Sequence, residues 1–344
     1  MTKISVIVPC FNAEEYICRS IDSVINQSIG FENIELILYD DCSTDSTRNI
    51  ILDYADKFSN IVPILSDKNS GYPGKGRNEG LKIASSDYIM FLDSDDEYDG
   101  KICEILLKEI TKEKADLVSC SYYNDDSLSR KEGYHLYYCN NNEVEVNGKF
   151  IFNSGFQINS GGIIWTCIYK KSIISDNEIK FLERGLCEDE YFLIQYYYYA
   201  NKTIYLKDYF GITRHVQDDS ASSSYTLDEI RIAQNHINDL FVNIKHEDLI
   251  FSQIFGHRVF QVLSEIYRSK DVFKYDSNEL LGLLKDLNIF EKEINFNEDL
   301  PFIAHVANSL VIKEHYKLAI LYLKFLNKLY TSDYMRKIHR ALLD

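Results

Sequence analysis

A dense group of acidic side chains follows one short apolar run between residues 87 and 99, DYIMFLDSDDEYD. Residues 89–92, with Tyr88 before them, are typical of a buried strand. Residues 93–97, which are acidic except for Ser94, follow at its end. Carboxylates this close together raise one another's pKa and reduce stability unless a cation or a set of hydrogen-bond donors lies among them. The spacing therefore predicts a ligand site at the tip of a strand.

Polar clusters also follow the two earlier apolar runs, at Asn12 and at Asp40-Asp41. A helix N-cap accounts for Ser43 and its neighbours at 44 and 45, because Ser, Thr and Asp are favoured at that position. It accounts less well for Asp41 and for residues 93–96. A cap needs one acceptor, whereas these places supply several negative charges.

Three glycines and two cations lie close together in a second segment, NSGYPGKGRN from residue 69 to residue 78. The glycines allow the backbone to approach a ligand or to turn with positive φ. Lys75 and Arg77 bring positive charge to the start of a helix. The P-loop spacing GxxxxGK[ST] is absent, and GxGxxG does not follow a strand correctly. Anion binding and an ordinary loop both remain open.

Strands that are apolar at nearly every position must hold these groups in place. Residues 4–8, 34–39 and 61–65 form such runs and alternate with helical patterns. This alternation indicates βαβ units in an α/β fold, with a parallel sheet covered on both faces. Ligands bind outside the carboxyl ends of the strands in these sheets. Further along the chain, residues 203–206 and 209–213 predict a β-hairpin.

The composition restricts the class of function. The chain has 344 residues and a formal net charge of −16, which argues against nucleic acid as a partner because such a surface needs a basic patch. The eight cysteines contain no CxxC pair, as expected for reduced thiols. No apolar run is long enough to cross a bilayer or to form a signal peptide. We therefore expect a cytoplasmic protein.

From about residue 226 the sequence shows helical periodicity and no strand pattern. We expect two domains, an α/β domain over residues 1–225 and a helical region over residues 226–344. Within the helical region, Lys317, Lys324 and Lys328 lie on one face of a predicted helix. Three interpretations remain open for that helix: peripheral contact with an anionic membrane, a bundle helix with solvated lysines, and a homo-oligomer contact.

Four motifs, in this order, resemble the family 2 glycosyltransferases with a GT-A fold: ISVIVPCFN, LYDDCSTDST, NSGYPGKGRNEGL and YIMFLDSDD. The resemblance covers roughly residues 3–224. It is closest to bacterial enzymes that build or decorate teichoic-acid, capsule and lipopolysaccharide glycans. It implies a Rossmann-like, mostly parallel sheet and leaves the helical region outside the match.

The same resemblance implies the donor site. Pro9 and Asp41 would lie against the uracil of a UDP-sugar, with Asn69 and Arg77 along the nucleotide and diphosphate. Asp93 and Ser94 would contact ribose and sugar, and Asp95 would hold the metal. A departing diphosphate develops negative charge that Mn²⁺ or Mg²⁺ stabilises as a Lewis acid.

The resemblance also implies an acceptor side. Glu188-Asp189 is similar to the family's ED motif, in which the Asp is the catalytic base. One positioned carboxylate is sufficient for an inverting transfer, and we expect that role for Asp189 and substrate contact for Glu188. A loop carrying Arg214, His215 and a serine would close over the diphosphate. That serine is Ser220 or Ser222.

The expected activity is metal-dependent transfer from a UDP-hexose or UDP-N-acetylhexosamine to a hydroxyl of a cell-surface glycan or lipid-linked acceptor. A nucleotidyltransferase is an alternative, but it would need a basic, Gly-rich loop after the first strand, where Pro9-Cys10-Phe11 stands. A non-catalytic protein with the same fold is a second alternative. The presence of Asp93, Asp95 and Asp189 argues against it.

Overall fold

The computed structural model describes two parts of the chain in different detail. The first comprises residues 2–125, 130–133, 136–137, 143–146, 149–152, 158–159, 163–185 and 187–215. The second comprises residues 228–229, 231–232, 235–236, 239, 280–282, 310 and 315–330. The chain divides into two compact units, Met1–Gln217 and Asp218–Asp344.

Strands and helices alternate through the first half of unit 1. The described strands are β1 Ile4–Cys10, β2 Ile34–Asp40, β3 Ile61–Leu65, β4 Tyr88–Phe91, β5 Glu97–Tyr98, β6 Leu117–Asp125, β7 Arg130–Gly133, β8 Leu136–Tyr137, β9 Glu143–Val146, β10 Lys149–Phe152, β11 Ile158–Asn159, β12 Cys167–Lys170 and β13 Thr203–His215. The described helices of this unit are α1 Ile17–Ile25, α2 Thr47–Lys57, α3 Pro73–Ile83, α4 Ile102–Glu113, α5 Lys171–Asp176 and α6 Glu188–Tyr199, with a 3₁₀ turn at Phe31–Asn33.

The main sheet has the strand order β3-β2-β1-β4-β12-β6-β13-β10-β9. The pairs β3-β2, β2-β1 and β1-β4 are parallel. Strand β12 is antiparallel to both of its neighbours, and β13 is parallel to β6. This mixed, mostly parallel arrangement confirms the predicted α/β class, and it brings the carboxyl ends of β1, β2 and β4 to one edge of the sheet.

The apolar runs become strands because both faces of the sheet are covered. Ile4, Ile7 and Leu36 are completely buried. Helix α1 buries Ile17, Ile21 and Val24 together with Ser20, one face of a helix at the i, i+3, i+4, i+7 spacing, and leaves Cys18 and Asp22 exposed. Each fully buried aliphatic side chain stabilises the fold by about 1.5–3 kcal/mol, so the sheet supplies a rigid base for the loops at its edge.

Helix α3 lies close against the sheet because two of its positions have no side chain. A Cβ on Gly76 would stand 2.6 Å from the Tyr39 ring and 3.2 Å from Pro9, and one on Gly80 would stand 2.5 Å from Ile7. Gly76 of the 69–78 segment and Gly80 just beyond it therefore serve helix packing. Gly71 alone fits the predicted positive-φ turn, with φ of +83°.

Strand β13 corrects the predicted hairpin. Residues 203–215 form one continuous strand that runs parallel to β6. Its register shifts twice, between Leu206 and Phe210 and between Phe210 and Ile212, so the polar residues 207 and 208 mark an irregularity rather than a turn. One strand consequently extends from the core to Arg214 and His215.

An aromatic cluster packs between the end of β4 and helix α6. Phe91 makes edge contacts with Tyr169, Phe181 and Phe192. Phe181 stacks on Phe192 with ring centroids 4.2 Å apart. Phe91 ends β4 and Phe192 belongs to α6, so this packing holds the end of β4 beside the start of α6.

In unit 2, the structure describes a helix α7, Tyr316–Tyr330. Its Ala319, Ile320 and Leu323 are buried, whereas Leu318, Leu321 and Phe325 are exposed. Within the described residues, no helix combines the length and apolar character needed to cross a membrane. All seven cysteines that the structure describes are free thiols.

Candidate active site

Three strand ends form the base of the site. Register pairs Pro9 with Tyr39 and Cys10 with Asp40 in the β1-β2 ladder. The ladder continues beyond both strands, because the Asp41 amide donates to the Cys10 carbonyl at 2.9 Å. Pro9 and Asp41 therefore lie at the same place on the sheet edge, as the sequence predicted for residues at strand ends.

Asp41 fastens the glycine-rich segment to the end of β2. Its carboxylate accepts from the Ser70 amide at 2.9 and 3.0 Å, from Ser70 Oγ at 2.8 Å and from the Gly71 amide at 3.3 Å. These contacts place Asn69, which is half-buried, directly beside the strand end. Oδ1 accepts one of these hydrogen bonds and Oδ2 the other three, so one lone pair of Oδ1 remains for a ligand.

The loops after β1 and β2 are bound to each other through side chains. Asn12 Oδ1 accepts from the Thr44 amide at 2.9 Å, and Asp45 accepts from the Glu14 and Thr47 amides at 3.1 and 2.9 Å. Asp45 thus satisfies an amide at the start of α2, but the N-cap residue is Ser46, which makes no side-chain capping hydrogen bond, so the N-cap interpretation of residues 43–45 was wrong in position. The two loops form one unit around the strand ends.

Arg77 joins two distant carboxylates. Its Nη2 donates to Asp93 Oδ1 at 2.8 Å and its Nη1 donates to Glu188 Oε1 at 2.7 Å. The guanidinium is only 4% exposed and lies 5.4 Å from the centre of the Phe181 ring. Glu188 is 111 residues away in sequence, yet this one side chain connects the tip of β4 to the first turn of α6.

Asp189 follows Glu188 in the first turn of α6. Although part of Asp189 remains accessible to solvent, burial raises the pKa of its carboxyl well above the usual range, and the neighbouring Glu188 charge raises it further. The Arg77 charge acts in the opposite direction. A carboxyl group with a raised pKa has the character of a general base.

The acidic cluster after β4 is distributed among different partners. Asp96 is 2% exposed and accepts from the His215 amide at 2.9 Å. Asp95 is half-buried, and its pKa is raised by burial and by the Asp93 charge. Burial and the charges of Asp93 and Asp95 raise the pKa of Asp96 well above its ordinary value. Ser94, also half-buried, lies between the two aspartates that were predicted to face ligand.

Glu97 and Arg19 hold this acidic loop in place. The sequence placed Glu97 in the acidic cluster without a partner, and it did not identify Arg19. Glu97 Oε1 lies 2.8 Å from Arg19 Nε and 2.7 Å from His215 Nε2. Arg19 also donates to the Asp95 carbonyl at 3.0 Å. Pairing of β5 with β13 brings His215 to this loop. The partners lie between 76 and 118 residues apart, and local spacing carries no signal for such contacts.

Arg214 supplies a second cation at the site. Its charge lowers the pKa of both Asp95 and Asp96 against the effect of burial. Arg214 is half-buried, and it forms no ion pair with a carboxylate in the part of the chain that the structure describes. Ser220 and Ser222, the predicted loop serines, lie outside the described residues.

The carboxylates at the tip of β4 fit a divalent metal that is held partly by the protein and partly by substrate phosphates. Carboxylates there repel one another and are desolvated, as the raised pKa values of Asp95 and Asp96 show, and a cation would relieve both effects. Among the described residues, no three His, Cys, Asp or Glu side chains are arranged to hold a metal ion by themselves. Mg²⁺ sites that use one or two carboxylates and substrate phosphates do not need such a cluster.

Comparison with known proteins identifies close relatives of the chain. Residues 5–177 match the family model "Glycosyl transferase family 2". A poly(ribitol-phosphate) beta-glucosyltransferase of Bacillus spizizenii is 32% identical over 216 residues, which are 60% of this chain and 31% of the relative. The poly(ribitol-phosphate) beta-N-acetylglucosaminyltransferase TarS of Staphylococcus aureus is 30% identical over 272 residues, 74% of this chain and 44% of TarS. The chain spans less than half the length of these curated relatives.

Solved structures share the fold. The crystal structure of residues 1–349 of S. aureus TarS in complex with UDP superposes with a TM-score of 0.68 at 23% identity, covering 96% of this chain and 91% of that one. The same fragment in complex with UDP-GlcNAc gives a TM-score of 0.65 at 22% identity. This likeness confirms the predicted GT-A fold.

Proposed function

Because the chain belongs to the family 2 glycosyltransferases, we propose that it transfers a sugar from a UDP-sugar to a hydroxyl group, with inversion at the anomeric carbon. The observation that carries the proposal is the bridge made by Arg77. One nitrogen of its guanidinium lies 2.8 Å from the carboxylate of Asp93, which is close in sequence to the predicted metal ligand Asp95. The other lies 2.7 Å from Glu188, which precedes the predicted base Asp189. The carboxylates proposed for the donor side and the acceptor side are thus connected through one side chain.

The reaction needs one base and a departing diphosphate. Asp189 accepts the proton of the acceptor hydroxyl, whose oxygen forms a bond to the anomeric carbon. The bond from that carbon to the diphosphate oxygen breaks, and its electron pair leaves with UDP. The raised pKa of Asp189 makes it a stronger base than an ordinary carboxylate once it is ionised.

The donor contacts follow the resemblance, with one change. Pro9, Asp41 and Asn69 are proposed for the nucleotide, and Ser94 for the ribose and sugar. The Arg77 guanidinium is buried and already paired on both sides. We therefore assign the diphosphate to Arg214 with His215, and give Arg77 the role of a positioning residue for Asp93 and Glu188.

Asp95 is proposed to hold Mn²⁺ or Mg²⁺ together with the donor phosphates. When bound, the metal supplies positive charge to the diphosphate as it leaves. Asp96 and Glu97 keep the loop in register through His215, which leaves Asp95 as the carboxylate free to bind the ion. This division explains why an acidic cluster is stable at the end of a buried strand.

The substrates are proposed from the relatives. TarS is named for the transfer of N-acetylglucosamine to poly(ribitol phosphate), and the B. spizizenii relative for the transfer of glucose to the same polymer. We accordingly propose a UDP-hexose or UDP-N-acetylhexosamine donor and a cell-envelope acceptor that bears hydroxyl groups, such as a polyol-phosphate chain or a lipid-linked glycan.

A panel of UDP-sugars with Mn²⁺ tests the proposal by measuring UDP release with and without poly(ribitol phosphate). We expect one donor to be turned over and the rate to fall on chelation of the metal. Asp95→Asn should abolish the metal requirement together with most of the activity, and Lys57→Gln, an exposed position outside the site, should leave both unchanged. Transfer at the normal rate by Asp95→Asn would refute the metal assignment.

A further inference from the structure

Helix α7 presents an apolar row to solvent. Leu318, Leu321 and Phe325 are 55%, 66% and 56% exposed, the highest values among the large hydrophobic side chains of the described residues. The opposite side of the helix buries Ala319, Ile320 and Leu323. The helix is therefore already anchored by one apolar side, and its second apolar side has no structural partner within the described residues.

A lysine row lies directly beside the apolar row. At about 100° per residue, Lys317 and Lys324 are about 20° apart around the helix, whereas Leu318, Leu321 and Phe325 cover the next 60° or so. Lys317 is exposed and Lys324 is half-buried. The solvent side of α7 is thus divided lengthwise into a cationic strip and an apolar strip, and the helix contains no acidic residue.

This arrangement distinguishes among the three interpretations that the sequence left open. A bundle helix with a solvated outer side does not account for two leucines and a phenylalanine on that side. Pairing with a second copy would bring two helices without acidic residues together, so the lysine rows would be uncompensated within such a pair. A soluble polyanion would match the lysine row and offer nothing to the apolar row.

We propose that α7 docks on the surface of an anionic lipid bilayer. The apolar row would enter the boundary between headgroups and acyl chains, while the lysine row would bind lipid phosphates. The helix has 15 residues, or about 22 Å at 1.5 Å per residue, too short to span the bilayer but suited to lying along it. The net charge of −16 does not prevent this contact, because salt screens exposed charges beyond about 8–10 Å.

Co-sedimentation of the full chain with vesicles tests the proposal. We expect binding to vesicles rich in phosphatidylglycerol and little binding to phosphatidylcholine alone. The double variant Lys317→Gln/Lys324→Gln should weaken binding to the anionic vesicles by roughly tenfold or more. A matched control is Lys101→Gln/Lys108→Gln, which removes two exposed lysines at the same spacing near α4 and should bind as the wild type does.

The triple variant Leu318→Ser/Leu321→Ser/Phe325→Ser tests the apolar row separately. We expect it to lose vesicle binding while its circular dichroism spectrum and elution volume remain those of the wild type. Three outcomes would overturn the proposal: no binding of the wild type to anionic vesicles, undiminished binding by both row variants, or a wild-type dimer in solution that the triple variant converts to monomer. The last would assign the apolar row to a second copy of the chain.

Discussion

The ionised carboxylate of Asp189 is the proposed catalytic base, and the same ionisation lowers the stability of the fold. Its folded-state pKa lies above the unfolded value because of burial and the adjacent Glu188 charge. The folded protein therefore keeps this proton over a pH range in which the unfolded chain has released it. As pH rises from about 4 through the folded-state pKa, the fold loses stability, and the loss is complete above that pKa.

Asp189→Asn should separate these two effects. The amide cannot take a proton from the acceptor, so turnover should fall by roughly 10²–10⁴-fold. It also carries no charge, so at pH 7 the variant should melt at a higher temperature than the wild type, with no difference once pH falls below the unfolded pKa. Initial rates of UDP release and thermal unfolding at several pH values measure both. A variant that is inactive and also less stable at pH 7 would contradict the account of the pKa.

Arg77 makes a second prediction at the level of single residues. Arg77→Lys keeps the positive charge but replaces the two terminal guanidinium nitrogens with a single ammonium group. The lysine therefore cannot bind Asp93 and Glu188 at once. We expect kcat to fall at least about tenfold, because both carboxylates lose their orientation, while the Kd for UDP changes by less than about threefold.

The control for Arg77 is another arginine on a buried carboxylate. Arg48, on α2, has its Nε 2.7 Å from the carboxylate of Asp40, which is fully buried. Arg48→Lys should leave kcat unchanged even if it lowers stability, since that pair does not reach the tip of β4. Equal losses of UDP affinity and kcat in Arg77→Lys would instead make Arg77 a direct ligand of the diphosphate, as the family resemblance implies.

At the scale of elements, the strands were predictable and their contacts less so. Residues 4–8, 34–39 and 61–65 are apolar except for Ser5 and Glu35, and each run lies in a strand of the structure. The predicted hairpin in place of β13 was wrong because polar residues interrupt this strand where its register shifts. In sequence, such an interruption looks the same as a turn. Strand β5 has only two residues, too few for any periodicity, although it brings His215 to the acidic loop.

Helix α3 shows why the glycine-rich segment was ambiguous. Glycine permits both a ligand contact and close packing of a helix, and sequence alone does not separate them. The separating information is the position of Tyr39 and Ile7 in the sheet, which a Cβ on Gly76 or Gly80 would meet. Only the assembled fold supplies that information.

Gly76→Ala tests this role of α3. The new methyl would lie 2.6 Å from the Tyr39 ring and 3.2 Å from Pro9, so the helix or the strand ends must move. We expect a loss of about 1–3 kcal/mol in the free energy of unfolding and weaker UDP binding, since Pro9 is displaced. Urea unfolding and UDP titration measure the two effects.

The chain contains a matched control for that substitution. Gly282 lies in a helical piece, and a Cβ there would meet nothing within 4 Å. Gly282→Ala should therefore be neutral or stabilise by up to about 1 kcal/mol, through helix propensity alone. Equal effects of the two substitutions would show that the packing of Gly76 against the sheet does not matter.

At the scale of the whole molecule, the predicted donor and acceptor residues with described positions all lie in unit 1, whereas the proposed lipid contact lies in unit 2. The change from alternating strands and helices to helical periodicity alone predicts a domain boundary near residue 225, and this boundary stays a prediction. The sequence could not indicate which carboxylates share a cation, because the pairs of Arg77 span 16 and 111 residues. Long-range ion pairs depend on the path of the whole chain.

The single tryptophan of the chain makes unit 1 separately observable. Trp165 is 7% exposed and lies in unit 1 with its ring 4.9 Å from that of Tyr122, so its fluorescence follows the unfolding of this unit. Ligand at about 100 times its Kd stabilises by about 2.7 kcal/mol, and UDP with Mn²⁺ should therefore raise the Trp165 transition by roughly 5–10 °C. Asp95→Asn should abolish the part of the shift that depends on Mn²⁺ and keep the part due to UDP alone. No shift in the wild type would place the nucleotide outside unit 1 and contradict the proposed site.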